Sequence, residues 1–479
     1  MLEISRDEIK AHIKRDNPWW DSETPKQIIS PIKYRAYFNS FCQLALNWDI
    51  HRSVILMGPR RVGKTVMLQQ FIQRCLKDGF HPKNILFSSL DTPLYTGLRL
   101  DQIIALFAEI TKSNPDEKRI IIFDEIQYFK NWEVHLKVLT DQQPNTRFIA
   151  SGSAAAALKL QSQESGAGRF TDFYLPPLTF AEFLDFRGLE DELIEDISSD
   201  TTINFNTNDI TRLNEEFINY LNFGGYPEAV LSKEIQGNIP RYLGRDIIDK
   251  VLLRDLPGLY GINNTQELNQ LFTTLAYHTG NEINLEGLYN NSGVAKNTIS
   301  KYLEYLEAAF LIIKVRKIKE NGASFKKLRH FKIYLTNPSM RAAHFGPLVA
   351  GKDDATIGRM AETAIYSQWL HSSNSLRNIH YARWKSGRTD LEVDLVGLDP
   401  GTLKPQWAHE IKWSDGSIDN ANKLRGLIQF AKQNNIKKVW ASTKTITKES
   451  THEGIIVSHN PCSFQCYMIG HNITKGQTP

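Results

Sequence analysis

The segment Gly58-Pro59-Arg60-Arg61-Val62-Gly63-Lys64-Thr65 matches the pattern G-x4-G-K-[ST]. Glycines allow backbone N–H groups to wrap a phosphate, and a helix opening at the end of the loop adds positive potential. In this pattern Lys64 reaches the β- and γ-phosphates of a nucleoside triphosphate. Thr65 offers its hydroxyl to Mg²⁺, and Val66 carries the contact into the helix. Further along, the apolar run Ile120–Phe123 ends in Asp124-Glu125. By itself an Asp-Glu pair reads as a surface turn. Paired with the loop, Asp124 holds Mg²⁺, largely through water, and Glu125 polarises the attacking water. A further strand, FIASGS, ends in Ser151-Gly152-Ser153. Either serine can bridge the water and the γ-phosphate. Arg169 follows a Gly- and Ser-rich loop. Its guanidinium is a candidate for stabilising the transferring phosphoryl group, in cis or from a neighbouring subunit. The plain alternative is a solvated surface arginine.

A second set of residues lies near the other end of the chain: Glu362, Asp394, and Glu410 with Lys412 two positions on. Asp394 and Glu410 are 410 − 394 = 16 residues apart, one hairpin's distance. Glu410 and Lys412 alternate by two and so share one side of an extended strand. Carboxylates on adjacent strands suit a hard cation, Mg²⁺ or Mn²⁺, at Asp394 and Glu410, with Glu362 adding a ligand through water. Lys412 then orients or helps deprotonate a water for attack on a phosphodiester. The short pattern [DE]-x-K is weak, since Glu8–Lys10 and Asp116–Lys118 also carry it. Only Glu410–Lys412 follows a second acidic strand. The rival reading is a set of salt bridges on strands.

The elements that would carry these groups alternate. SVILMG reads as a strand and TVMLQQFIQRCLKDG as a helix closed by Gly79. NILFSSLD, RIIIFDEI and TRFIASGS read as further strands, with helices LDQIIALFAEITK and WEVHLKVLTDQQ between them. This order predicts a parallel α/β sheet. At Pro176-Pro177 the pattern changes. Residues 178–260 read as mostly helical, with the acidic stretch Glu190–Asp200 as a solvated loop. Residues 355–479 return to α/β.

Between them, Leu285–Leu311 reads as helix, turn at Ser292-Gly293-Val294, and a second helix capped by Asn297 or Thr298. Ile299, Leu303, Leu306 and Phe310 form its apolar stripe. A basic hairpin turning at Asn321-Gly322 follows. From Lys314 to Lys332 there are eight bases (Lys314, Arg316, Lys317, Lys319, Lys326, Lys327, Arg329, Lys332) against one acid, Glu320. Helix, turn, helix and hairpin make a winged-helix signature. Lys296, Ser300 and Lys301 on the second helix and Lys317, Lys326, Lys327 and Arg329 on the wing are the expected DNA contacts. The alternative is a spacer with solvated lysines.

Composition narrows the class. The chain has 479 residues, 41% hydrophobic and 23% charged, with a net charge of +4. These are values of a globular protein of several domains, not of a disordered one. No apolar run approaches the roughly 18 residues of a membrane span. The N-terminal residues carry acids among bases and no apolar core, so a cytoplasmic protein is expected. Four cysteines are too few for a disulfide scaffold, and Cys462 and Cys466 read as small core residues.

GPRRVGKT, IIIFDEIQ, FIASGS and GRFTDFYLPPLTFAEF together resemble an AAA+-like ATPase of the archaeal type, related to the STAND ATPases, over residues from about 35 to 260. The order Glu362, Asp394, Glu410-x-Lys412 in an α-β-β-β-α-β context resembles the PD-(D/E)XK nuclease superfamily over about 355–450, with Glu392-Val393 ahead of Asp394 where proline is usual. The whole arrangement resembles a prokaryotic ATPase family. The resemblance implies an α/β multidomain chain. Its expected parts are an N-terminal arm (1–35), a P-loop parallel-sheet ATPase core (36–180), a helical lid (181–262), a winged helix (263–340) and a restriction-endonuclease-like α/β domain (355–479). It implies ATP and Mg²⁺ as cofactors, with Mg²⁺ or Mn²⁺ at the nuclease centre. DNA is the expected partner, a homo-oligomer is compatible with it, and no membrane is involved. The expected activity is ATP hydrolysis regulating a metal-dependent DNA endonuclease, and the architecture fits defence against foreign DNA. The alternatives are a nucleotide-operated DNA- or partner-binding switch with an inactive nuclease-like domain, and a nuclease directed at RNA.

Overall fold

Runs of β-branched and aromatic residues between helical segments form the first sheet. A computed structural model describes residues 5–21, 32–95, 97–153, 168–198, 205–323, 330–372, 376–418 and 420–476. The chain divides into two compact units, residues 1–176 and 177–479.

In the first unit the strands are β1 (Ser53–Met57), β2 (Ile85–Ser89), β3 (Arg119–Asp124), β4 (Thr146–Gly152) and β5 (Phe170–Tyr174). Their order is β2-β3-β4-β1-β5, and every pairing is parallel. β1, β3 and β4 are buried along their whole length, which is why they read as unbroken apolar runs. The expected α/β alternation holds through β4. β5 is an addition: its half-exposed FTDFY lacks the apolar signal of a central strand. β4 lies between β1 and β3, so the carboxyl ends of all three open side by side.

The N-terminal arm packs on this unit. The helix Arg6–Asp16 starts in a capping box between Ser5 and Glu8. Beyond it, Asn17 bonds the backbone of Phe87 in both directions, at 2.8 and 2.7 Å. The indoles of Trp19 and Trp20 donate to the Ile85 carbonyl at 3.3 and 2.8 Å. The open edge of β2 is thereby covered by side chains.

In the second unit, the helices Phe180–Arg187 and Ile210–Phe223 flank a small antiparallel pair, β6 (Ile194–Asp196) and β7 (Phe205–Thr207). The acidic stretch expected as a loop is instead a helical turn, Glu190–Leu193, running into β6. Leu193 and Ile194 anchor it in the core, Glu190 accepts the Tyr467 hydroxyl at 2.9 Å, and Asp191, Glu192, Glu195 and Asp196 are exposed. The helix Thr265–Tyr277 leads to β8 (Glu282–Asn284), the helices Leu285–Ser292 and Lys296–Ala308, then β9 (Ile312–Ile318) and β10 (His330–Leu335). The second of these helices is preceded by Ala295 with no side-chain cap, not by Asn297 or Thr298. Its buried face is Ile299, Tyr302, Leu303 and Leu306. Phe310 lies past the helix end at φ 57°, so it is not part of that face.

The rest is the helix Asp354–Gln368, β11 (Ile379–Ser386), β12 (Thr389–Leu398), β13 (Pro405–Glu410), the helix Arg425–Gln433, β14 (Lys438–Thr443), β15 (Lys448–His452), β16 (Ile455–Pro461) and the helix Cys462–Thr474. One sheet runs β15-β16-β14-β13-β12-β11-β9-β10-β8. The basic hairpin is therefore not a free wing. β9 pairs in parallel with β11 through Tyr381↔Lys317 and Ala382↔Ile318. This seam is only two residue pairs long. Across it, side chains of β8 and β10 turn over to meet those of β11 and β12. Cys462 and Cys466 are both buried and unpaired in disulfides, as small core residues. Among the described residues no helix is long and apolar enough to cross a membrane.

Candidate nucleotide site and acidic centre

The loop after β1 closes on itself. Arg61 at φ 61° and Gly63 at φ 96° are both left-handed, and the helix Lys64–Lys77 starts directly after Gly63. Lys64 is 4% exposed, and its ammonium donates to the Gly58 carbonyl at 3.0 Å and the Pro59 carbonyl at 2.8 Å. Pro59 and Val62 are buried; Arg60 donates to the Tyr128 hydroxyl at 2.9 Å. Thr65 Oγ1 donates to Asp124 Oδ2 at 2.7 Å, and Val66 is half-buried behind it.

The expected partners from β3 and β4 converge here. Ser151 Oγ bonds the other oxygen of Asp124 and accepts the Glu125 N–H at 3.2 Å. Of the two serines, Ser151 is thus the one joined to the acidic pair. Ser153 meets Gln127 through its backbone N–H at 3.3 Å, and its buried hydroxyl has no partner among the described residues. Burial, then the Glu125 carboxylate, push the Asp124 carboxyl above its ordinary range, against the pull of Ser151, Thr65 and Lys64. Glu125 stands at φ 54°, unusual for a residue with a side chain, and Gln127 Nε2 donates to its Oε2.

Two residues here escaped sequence reasoning. Gln127 links Glu125 to the end of β4. Arg35, the last residue of the expected arm, is buried and donates to the Val62 carbonyl and the Pro176 carbonyl, both at 2.8 Å. Neither stands in a local pattern that announces it.

Arg169 is not where a cis role needs it. Ser53↔Phe170 is a parallel register, and the Ser53 N–H bonds the Arg169 carbonyl at 3.0 Å. Arg169 is therefore at the amino end of β1, while the loop leaves the carboxyl end. At roughly 3.3 Å per residue these ends are about 15 Å apart. Its guanidinium pairs with Asp141 at 2.5 Å on the surface.

Gly58 is a packing requirement. A Cβ there would sit 2.2 Å from the Leu175 carbonyl oxygen, and the neighbouring Leu175 N–H is bonded to the Met57 carbonyl at 2.7 Å. Neither backbone can give way. Gly58→Ala is expected to cost about 1–3 kcal/mol of stability, read as a lowered melting temperature, together with weaker nucleotide binding.

In the second unit, the four predicted residues line one pocket of about 390 Å³. Asp394 Oδ2 accepts the Ile411 N–H at 2.9 Å. Lys412 lies 2.6 Å from Glu410 Oε1 and 3.8 Å from Asp394 Oδ2. β13 ends at Glu410, so Lys412 is just beyond the strand, yet it meets Glu410 as the spacing predicts.

One member was not foreseen. Lys332, counted above in the basic run from Lys314, is 2% exposed. Its ammonium is 2.6 Å from Glu392, 2.8 Å from Glu362 and 3.4 Å from Asp394. In HFKIYL it alternates with apolar residues, the pattern of a solvent face, but that face is covered. Lys332 and Tyr334 point from β10 to Glu362 and Tyr366, one helical turn apart on Asp354–Gln368. Tyr334 stacks on Tyr366 at 4.4 Å, and its hydroxyl donates to Glu362. Glu362 is thus a partner of Lys332 and Tyr334. Among the described residues no group of three or more His, Cys, Asp or Glu side chains forms a ready metal array.

The charges respond to each other. Burial works against the Lys412 ammonium, but Asp394 and Glu410 outweigh it and hold its pKa above the lysine range. Burial likewise opposes Asp394, yet Lys412, Lys332 and the Ile411 N–H keep it low. Glu410 goes the other way: burial, then Asp394, push it up from 4.5 to about 8. The folded chain therefore keeps a proton on Glu410 that the unfolded chain releases, and stability falls as pH rises through that window. Asp394, shifted down from 3.8, acts only below it. In EDTA, Glu410→Gln is expected to gain on wild type in melting temperature from pH 5 to 8 and then level off.

The expected DNA contacts are scattered. Lys326, Lys327 and Arg329 lie outside the described residues. Lys317 is turned inward, 3.1 Å from Glu282. Lys296 and Lys301 are exposed, with Lys296 3.5 Å from Glu286, and Ser300 is half-buried. Glu304 and Glu307 balance the two lysines on that helix.

In the first unit, a glycine-rich loop between a buried parallel strand and a helix, faced by an Asp-Glu strand end, is the arrangement of a P-loop ATPase domain. Residues 51–184 match the family model for an AAA domain, and residues 214–348 match a Domain of unknown function (DUF8612). An "Uncharacterized protein" of Haemophilus influenzae is 24% identical over 329 residues, covering 67% of this chain and 75% of that one. "Uncharacterized protein MJ1637" of Methanocaldococcus jannaschii is 26% identical over 366 residues, 74% of each chain. "Uncharacterized protein MJ1544" of the same organism is 29% identical over 287 residues, 57% of this chain and 59% of that one. Among solved structures, Pif1 helicase from Candida albicans aligns at 16% identity and a TM-score of 0.22, over 32% of this chain and 43% of that one. The S. cerevisiae Hsp104-ADP complex aligns at 12% identity and a TM-score of 0.31, over 63% of this chain and 40% of that one. At these scores neither likeness carries an argument.

The match to an AAA domain over residues 51–184 supports nucleotide binding and hydrolysis by that part of the chain, with ATP as the nucleotide and Mg²⁺ as the ion expected beside it. The residues fit Mg²⁺: a hydroxyl and a carboxylate stand 2.7 Å apart at the loop's end, and the carboxylate is buried.

Proposed function

We propose that ATP binding and hydrolysis in this domain regulate a metal-dependent DNA endonuclease centre formed by Glu362, Asp394, Glu410 and Lys412. The observation that carries the reading is the gathering of these four side chains, from one helix, two strands and the residues just past the second strand, in a single pocket. In the ATP site, Lys64 holds phosphate oxygens, Thr65 and Asp124 hold Mg²⁺, Ser151 steadies Asp124, and Glu125 orients the attacking water. Arg169 acts on the ATP of a neighbouring copy. The succession of helix, β8, two helices, β9 and β10 supports a winged helix within 263–340, with Lys296, Ser300 and Lys301 toward DNA.

In the acidic centre the donors are hard carboxylate oxygens, and Glu410 Oε2 is buried with no partner among the described residues. The lining has five carboxylates (Glu282, Glu362, Glu392, Asp394, Glu410) against three bases (Lys332, Arg383, Lys412), a formal charge of −2. Both features fit Mg²⁺ or Mn²⁺ at Asp394 and Glu410. Such an ion, when bound, activates a water and shields the scissile phosphate. Lys412 orients the water and offsets charge on the phosphate. The Ile411 N–H fixes the rotamer of Asp394.

The test is cleavage of plasmid and linear DNA by the purified chain with Mg²⁺ or Mn²⁺, with ATP, a non-hydrolysable analogue, or neither. Intact DNA in every condition sinks the nuclease reading. Labelled RNA in parallel separates an RNA nuclease. The second reading, a nucleotide-operated switch without cleavage, is favoured by Lys332, which already pairs with three of the carboxylates. It predicts ATP turnover, DNA or partner retention and no effect of Asp394→Asn on either. Defence against foreign DNA belongs to the first reading and predicts loss of protection in cells on Asp394→Asn.

A further inference from the structure

We infer that Lys332 is the resident second cation of the acidic centre, so that the pocket accepts one divalent ion and not two. This rests on the metal-dependent reading above. Two-metal centres hold their ions roughly 3.5–4 Å apart, sharing a carboxylate between them. Here Asp394 is the carboxylate placed to be shared. On one side of it, the Lys332 ammonium spends its three donors on Glu392, Glu362 and Asp394 Oδ1. Tyr334 also donates to Glu362. That side holds a buried positive charge delivered by the protein.

The other side differs. Lys412 bonds Glu410 Oε1, but Glu410 Oε2 is buried and has no partner among the described residues. A second ion beside Glu362 and Glu392 would have to expel an ammonium that is almost fully buried.

Lys332 also comes from an unexpected place. It lies on β10, within residues 214–348, whereas Asp394 and Glu410 lie outside that matched segment. The segment therefore contributes a residue to the centre itself. Lys332 is a positioning residue: it sets where Glu362, Glu392 and Asp394 stand and how many ions they accept.

The experiment counts Mn²⁺ bound to the full-length, nucleotide-free chain by equilibrium binding and electron paramagnetic resonance. Asp394→Asn serves as the baseline for ions bound elsewhere. Wild type is expected to hold one Mn²⁺ above that baseline. Lys332→Met, of similar size and without charge, is expected to hold two, with the broadened signal of neighbouring spins. Lys332→Arg is expected to return to one. A purely structural salt bridge would not change the count. Two ions in wild type overturn the inference with no variant needed, so it stays testable even where Lys332→Met fails to fold. One ion in both wild type and Lys332→Met overturns it and leaves the metal centre standing. No ion above baseline in either overturns the inference and the metal-dependent reading together.

Discussion

Asp124→Asn is expected to lower ATP turnover on the order of 10²-fold or more while the nucleotide-free chain melts no lower than wild type. The loss follows from charge. An amide cannot hold Mg²⁺ as a carboxylate does, and losing even one preorganised hydrogen-bond donor to a developing oxyanion costs about 10²–10³ in rate, about 2.7–4 kcal/mol. The unchanged stability follows from burial. Asp124 is 2% exposed, and burial and Glu125 both work against its ionised form. Asparagine removes that cost, and its oxygen can still accept from Thr65 or Ser151. Lys64→Ala should lose turnover to a similar degree, but it also removes the two bonds to Gly58 and Pro59 that close the loop. Its melting temperature is therefore expected to fall. Steady-state hydrolysis and thermal melts on the two variants check both statements. Turnover of Asp124→Asn within a few-fold of wild type would remove Asp124 from the site.

The nucleotide loop was legible in the sequence because its requirements are local. Glycines, a lysine and a threonine at fixed spacing, between an apolar run and a helical period, describe one turn of chain. Asp124 and Ser151 were legible because parallel strands open at a common edge once their order is known. Arg35, Gln127 and Lys332 were not. Each acts on residues brought to it by the fold, and each reads locally as an ordinary polar residue. Lys332 shows why charge counting misleads here. The run from Lys314 to Lys332 is basic on paper, but Lys317 is spent on Glu282 and Lys332 on three carboxylates. Of the strands that escaped notice, β5, β6, β7, β8 and β15 are short or half-exposed and lack an apolar period, whereas β16 alternates buried with more exposed residues but carries polar ones, Ser458, His459 and Asn460, in its second half. For Arg169, a position after a Gly-rich stretch does not say at which end of β1 the residue stands; at the amino end, the role from a neighbouring subunit is the one of its two expected roles that remains.

Asp394→Asn is expected to reduce DNA cleavage by at least 10³-fold, the larger of the effects expected at the acidic centre. The substitution is chosen over alanine because the asparagine oxygen can keep the Ile411 N–H bond that sets the strand end. What it removes is the charge facing both Lys332 at 3.4 Å and Lys412 at 3.8 Å. Two ammonium groups are then left with one fewer counter-charge, so some loss of stability is expected as well, and melts must accompany the assay. Lys412→Ala separates the effects. Lys412 is half-exposed, so its loss disturbs packing less, yet it removes the only cation at Glu410 among the described residues. Cleavage lost in both variants, with Lys412→Ala still melting near wild type, places the reaction in this pocket. Asp124→Asn then tests the link between the two units. A change in cleavage rate or in its response to ATP, with Asp394 and Lys412 intact, makes the nucleotide the regulator. Equal cleavage with and without functional ATP turnover leaves two independent activities on one chain.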